Sequence, residues 1–171
     1  MSRTAAEQTL TIERAAAADL PGLLSLLDSV GLPSEGVAEH LSGFLVAREA
    51  DGRVAGCVGM ERHGSVALLR SAAVAPESQG AGLGRCLTAA LLERARAEGV
   101  CEVLLLTTTA RDFFAAKFGF GEAARADYEA HLAGSPEWNL PRCSSAVLMR
   151  LDLRAPNDER NGRGGSPWVV S

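Results

Sequence analysis

The chain has 171 residues, 47% of them apolar and 22% charged, enough for one domain with a sizeable core. Its formal net charge of −4 speaks against nucleic acid or an anionic membrane surface as the main partner, because both favour a basic face. No apolar run approaches the roughly 20 residues that span a bilayer, and residues 1–8 carry no apolar export signal, so a cytoplasmic protein is expected.

Alternation through Leu10 and Ile12 predicts a first strand over residues 9–15. Asp19, as an N-cap with Pro21 in the first turn, opens a helix whose apolar face is Leu23, Leu24, Leu26, Leu27 and Val30. A second short helix is expected over residues 36–41. Residues 44–48 read as a strand, Asp51-Gly52 as a hairpin turn, and residues 53–62 as the returning strand. After a turn at His63-Gly64, residues 65–74 form a long apolar run, which suits a central strand.

The pattern changes after Pro76. Leu83, Leu87, Ala90, Leu91 and Ala95 share one face of a helix running to Glu98, with Gly99 at its end. Residues 100–106 read as a buried strand, 112–118 as a short helix, 127–133 as a short helix or loop, and 146–153 as the strand that closes the sheet. Residues 1–8 are expected to be flexible and residues 154–171 a disordered tail around a single domain over 9–153. Cys57, Cys86, Cys101 and Cys143 form no C-x-x-C pair, which points to reduced structural thiols and no metal.

The most informative segment is Gln79-Gly80-Ala81-Gly82-Leu83-Gly84-Arg85, between a predicted strand and a predicted helix. The first amides of a helix lack internal partners and sit at the positive end of its dipole. Glycines let an anion approach them, so such a turn cradles a pyrophosphate, and Arg85 adds a charged hydrogen bond. The alternative is a glycine-rich helix start without a ligand. No Gly-Lys-Ser/Thr follows, so this is not a P-loop, and the antiparallel strands before it do not fit a dinucleotide fold.

With its strand end Ala73-Val74-Ala75-Pro76, this motif resembles the acetyl-coenzyme A signature of the GNAT acetyltransferase superfamily, Gln/Arg-x-x-Gly-x-Gly/Ala. The helix Phe113-Phe114-Ala115-Ala116-Lys117-Phe118 followed by Gly119-Phe120 is similar to a second motif of that family. The resemblance covers about residues 9–153. It implies an α+β fold with a mixed, mostly antiparallel sheet of about six or seven strands and about four helices. It also implies acetyl-CoA as co-substrate and a strand splayed to admit the thioester. Backbone groups at Ala73 and Val74 would hold the pantetheine arm. The amides of Gln79, Gly80, Ala81, Gly82, Leu83 and Gly84 would hold the pyrophosphate together with Arg85, and Phe114 and Lys117 would flank the coenzyme; the alternative for Phe113, Phe114 and Phe118 is ordinary core packing. Many relatives carry a tyrosine acid where this chain has Ala115. Its absence leaves protonation of the leaving thiolate to water or another hydroxyl, unless the thiolate leaves unaided.

Acetyl transfer needs a neutral amine held in line with a polarised thioester. Glu61 is the candidate base, its alternative being a solvent-facing strand residue; Glu77 is the weaker choice. Arg70 lies inside an apolar run, where an unpaired guanidinium is costly. Its partner is either Glu61 or an acidic substrate, and bidentate capture of an oxyanion favours the substrate. Ser71 and the run Thr107-Thr108-Thr109 are expected along the acceptor pocket, the alternative for the threonines being that of ordinary strand residues.

Leu68-Leu69-Arg70-Ser71, the stretch 106–110, Ser135-Pro136-Glu137-Trp138 and Cys143-Ser144-Ser145-Ala146 resemble the GNAT proteins encoded with arsenic-resistance genes. That resemblance implies an amino-acid-like or oxyanion-bearing acceptor. Cys143 is expected to be structural, since trivalent arsenic prefers several thiolates. The expected function is N-acetylation of a small-molecule amine by a monomer or homodimer. A peptide acetyltransferase and a non-catalytic acetyl-CoA sensor are the alternatives.

Overall fold

In the computed structural model, residues 10–154 and 169–170 are described. The strands are β1 (Thr11–Arg14), β2 (Leu45–Arg48), β3 (Val54–His63), β4 (Val66–Val74), β5 (Glu102–Thr107), β6 (Gly121–Glu122), β7 (Val147–Asp152) and β8 (Val169–Val170). The helices are α1 (Leu20–Ser29), α2 (Leu83–Ala97), α3 (Arg111–Phe118) and α4 (Glu129–Leu132). The sheet order is β6-β7-β5-β4-β3-β2-β1-β8. β1 through β4 form an antiparallel meander, and β4 pairs in parallel with β5 across the crossover helix α2.

Period-2 alternation on β4 divides the core. Ala67 and Leu69 face α2 and pack with Leu83, Leu87, Leu91 and Phe114, while Val66 and Leu68 face the other way, toward Leu132 and Leu148. Beside that second cluster, α1 buries Leu23, Leu26 and Leu27 against Phe44, Val46 and Cys57. The mixed sheet and helix set agree with the expected α+β architecture.

Three local expectations change. Residues 35–40 form consecutive turns leading into a 3-10 turn at Leu41–Gly43 rather than a helix, because Gly36 adopts φ +79°. The first strand is shorter than expected. Asp19 occupies the N-cap position of α1, but its carboxylate makes no cap hydrogen bond. Instead it accepts from the Ala16 N–H at 2.7 Å and from Arg48 at 2.8 and 3.0 Å. The expectations for residues 1–8 and most of the tail lie outside the described residues; within the tail, β8 pairs in parallel with β1.

The Arg48 hydrogen bond holds the Asp19 carboxyl below its ordinary value of 3.8. Its stabilisation is therefore full above that value and is lost as pH falls through the lowered folded value. Asp19→Asn is expected to cost about 2 kcal/mol at neutral pH. In urea melts, the gap from wild type should close below about pH 4; a gap independent of pH would contradict this pairing.

Candidate active site

β4 carries an irregularity that opens the sheet. Against β3, Cys57 pairs with Ala73 but Gly59 pairs with Arg70, so β4 holds one extra residue there. Ser71 within that bulge has φ 55°, a left-handed conformation no other non-glycine among the described residues adopts. The Cys57 thiol donates to the Ser71 carbonyl at 3.2 Å, and burial pushes this thiol up to about 12, which makes it inert. On the other edge, β4 and β5 pair only from Val66↔Glu102 to Leu69↔Leu105, then part.

The parting strands wall a cavity of about 350 Å³. Leu69 to Ala72 line one side and Leu105 to Ala110 the other, with Phe114 on the wall and Gly31, Leu32 and Pro33 at an edge. Glu137, Arg142, Cys143 and Ala146 complete the lining. The sequence-predicted residues Arg70, Ser71, Thr107 and Thr108 thus converge here. Thr107 Oγ1 already accepts the Ala110 N–H at 2.9 Å, which fixes the turn from β5 into α3.

A second, smaller cavity lies over the glycine loop. Its walls are Val74, Ser78, Gln79, Gly80, Gly82, Leu83, Gly84, Arg85 and Phe113. Gly82 is the N-cap of α2 with φ +80°, Gly80 has φ +89°, and no atom lies within 4 Å of where a Cβ on either would stand. Gln79 folds back so that Nε2 donates to the Val74 carbonyl at 3.0 Å. That hydrogen bond ties the loop to the end of β4. The start of a 15-residue helix therefore faces an open, glycine-lined cup, which suits an anion. Leu83 is buried in the core and offers only its amide. Arg85 is exposed on the cup's wall.

α3 joins the two cavities. Phe113 lines the cup and Phe114 the larger cavity, with ring centroids 5.2 Å apart and edge to face. The chain thus sets a glycine cup, a strand bulge and a parted parallel pair beside one another. Residues 22–120 match the acetyltransferase (GNAT) family.

The chain belongs to the GNAT acetyltransferase family. A relative is the amino-acid acetyltransferase of Neisseria meningitidis, 30% identical over 132 residues. That alignment takes in 70% of this chain, which spans only 29% of the relative's length. Among solved structures, a Mycobacterium tuberculosis protein in complex with CoA matches at TM-score 0.67 and 25% identity, covering 84% of this chain and 99% of that one. The N-acetylglutamate synthase of Neisseria gonorrhoeae, complexed with coenzyme A and N-acetyl-glutamate, shares the fold at TM-score 0.67 and 23% identity. There, 86% of this chain covers 36% of that one.

Set in a GNAT frame, some predicted site residues stand elsewhere than expected. Glu61 has a fully enclosed side chain and does not line the cavity. One oxygen accepts from Arg70 Nη1 at 2.7 Å, and the other accepts from the Ser135 hydroxyl and lies 3.4 Å from His63 Nε2. That geometry makes Glu61 the ion-pair partner of Arg70 and leaves it no access to an amine. Glu77 is exposed beside Arg53, outside both cavities. Lys117 is exposed and lines neither cavity, and Ala73 is buried by β3.

Other residues went unread in the sequence. Phe113, which sequence alone offers only as core packing, is exposed and lines the glycine cup. Glu137 is buried on the cavity wall with Oε2 3.5 Å from Arg70 Nε. Its carboxyl is raised to about 7, chiefly by burial. The only signal for it was a match of Ser135-Pro136-Glu137-Trp138 to a subgroup, which says nothing of chemistry.

Proposed function

We propose that this chain transfers the acetyl group of acetyl-CoA to the amine of a small, amino-acid-like acceptor. The observation that carries the reading is that α3 sets the glycine cup beside the β4–β5 opening, with Phe113 on one and Phe114 on the other, and that Arg70 and Glu137 line the larger cavity. In this reading the amides from Gln79 to Gly84, with Arg85, hold the pyrophosphate. The pantetheine arm runs past Val74 and between Phe113 and Phe114. Arg70, Ser71, Thr107 and Thr108 line the acceptor end. The cavity volume of about 350 Å³ suits a small molecule. The name of the Neisseria meningitidis relative, an amino-acid acetyltransferase, supports the same acceptor class.

An acceptor with a phosphinate or arsinate in place of a carboxylate meets the same guanidinium, so a link to arsenical resistance is part of this reading. The test is thiol release from acetyl-CoA across free amino acids, amino-phosphonates, an amino-arsinate and short peptides. Turnover is expected with one of the free zwitterions and not with peptides. Turnover with peptides alone would favour a protein-directed enzyme. Coenzyme binding without turnover would favour a sensor.

A further inference from the structure

Three charged groups meet behind the acceptor cavity, and their charges do not balance. Arg70 is the single buried cation among the described residues, with a fully enclosed side chain, and it faces two carboxylates. Its Nη1 donates to Glu61 at 2.7 Å and its Nε donates to Ser71 Oγ at 3.1 Å. The 3.5 Å approach of Glu137 Oε2 to Nε is therefore not a hydrogen bond, and that oxygen is enclosed without any partner. A buried carboxylate oxygen without a donor is rare and costly. Counted over these three groups, the balance is short of one positive charge or one proton, and the unpartnered oxygen belongs to the carboxylate that lines the cavity.

The loop that carries Glu137 is held in place. The Ser135 hydroxyl donates to Glu61 and accepts the Trp138 N–H at 3.2 Å. Asn139 Nδ2 donates to the Ala133 and Ser135 carbonyls, both at 2.9 Å. Arg125 stacks on Trp138 at 4.8 Å and donates to the carbonyls of Cys143 and Ala146. Glu137 is thus presented by a braced scaffold.

We propose that Glu137 is the catalytic base, binding the acceptor's ammonium and taking its proton. This rests on the acetyltransferase reading above. The Glu137 carboxylate accepts one proton from the ammonium and becomes a carboxylic acid. The freed nitrogen lone pair forms the C–N bond to the acetyl carbonyl carbon, and the C–S bond breaks with its electron pair on sulfur. The second proton lost by nitrogen goes to that thiolate, and the Glu137 proton passes to water. The overall step turns an ammonium and a thioester into an amide, a thiol and one proton.

The electrostatics fit this role. Burial raises the Glu137 carboxyl and Glu61 adds to the rise, while Arg70 opposes it, for a value of about 7. Arg142 and the Cys143 thiol line the same cavity as Glu137, Arg125 stacks on Trp138 of its loop, and His40 and His63 lie beside Glu61. A base poised there is partly ionised near neutral pH and strong enough to accept a proton.

The test compares wild type, Glu137→Gln and Glu137→Asp in thiol release from acetyl-CoA, across pH from about 5 to about 9, with two nucleophiles. One is whichever amine of the panel wild type turns over best. The other is hydroxylamine, which is neutral near pH 7 and needs no base. With the amine, Glu137→Gln is expected to lose about 100-fold in kcat/KM and the rise through about pH 7, with Glu137→Asp recovering part of both. With hydroxylamine the three proteins should agree within about threefold, and their coenzyme affinities should match. An unchanged pH profile in Glu137→Gln, or an equal loss with both nucleophiles, would overturn the assignment and leave the acetyltransferase reading intact. A wild type that releases thiol with neither nucleophile would overturn both.

Discussion

Gly82→Val is expected to weaken coenzyme A binding more than about 100-fold while leaving the chain folded. Gly82 sits at φ +80° as the N-cap of α2. A β-branched residue there is a genuine conformational outlier, costing roughly 1–2 kcal/mol of backbone strain. Nothing in the protein lies within 4 Å of the added Cβ, so packing supplies no further penalty. The side chain instead projects from the cup's wall, and relief of strain rotates the amides of Leu83 and Gly84 away from a common focus. Both effects fall on the anion and neither on the core, where Leu83 and Leu87 remain buried. Calorimetric titration with coenzyme A measures the loss, and a urea melt confines the stability cost to about 2 kcal/mol. Unchanged affinity would remove the pyrophosphate from this loop. Arg85→Ala is the graded control: exposed on the cup's wall, Arg85 is expected to account for less than about tenfold.

The glycine loop was legible in the sequence because its chemistry is local. Gln79, Gly80, Gly82 and the helix start are contiguous, and spacing fixes their geometry. The strands were legible because alternation along β4 sorts Leu68 and Leu69 to opposite faces without knowledge of what covers them. Glu137 was not legible. Its burial depends on a loop with no period, braced by Arg125 and Asn139, and on Arg70 from a distant strand. Nor does sequence reveal that Glu61 and Arg70, each readable as a substrate-facing charge, are consumed by one another. Cross-strand placement brings Glu61 opposite Leu68, two residues from Arg70 on the same face, and the length of the guanidinium stem closes the gap. The helix expected over residues 36–41 failed for a local reason, the left-handed backbone at Gly36, which sequence alone could not assign.

The Glu61–Arg70 pair sets the second large effect. Arg70→Ala is expected to cost about 3–5 kcal/mol of stability, because it leaves the fully enclosed Glu61 carboxylate without its guanidinium. It also removes the positive charge that favours ionisation of Glu137 beside Glu61, so the two carboxylates would resist being charged together. A rise in the acceptor's KM in this variant therefore has two possible origins, a lost substrate contact or a loosened wall. Replacing both partners separates them. Arg70→Met combined with Glu61→Leu removes the unpaired charge, and apolar replacement of a buried pair is often neutral or stabilising. The double variant should thus recover more than about half of the stability lost by Arg70→Ala, and a cycle completed with the single Arg70→Met and Glu61→Leu variants should show a coupling of at least about 2 kcal/mol. If Arg70 Nη2, enclosed and without a partner in the protein, meets the acceptor's oxyanion, the double variant stays impaired in acceptor KM although its fold is restored. If KM returns with stability, Arg70 serves the wall alone and oxyanion recognition passes to Arg142 on the cavity's rim.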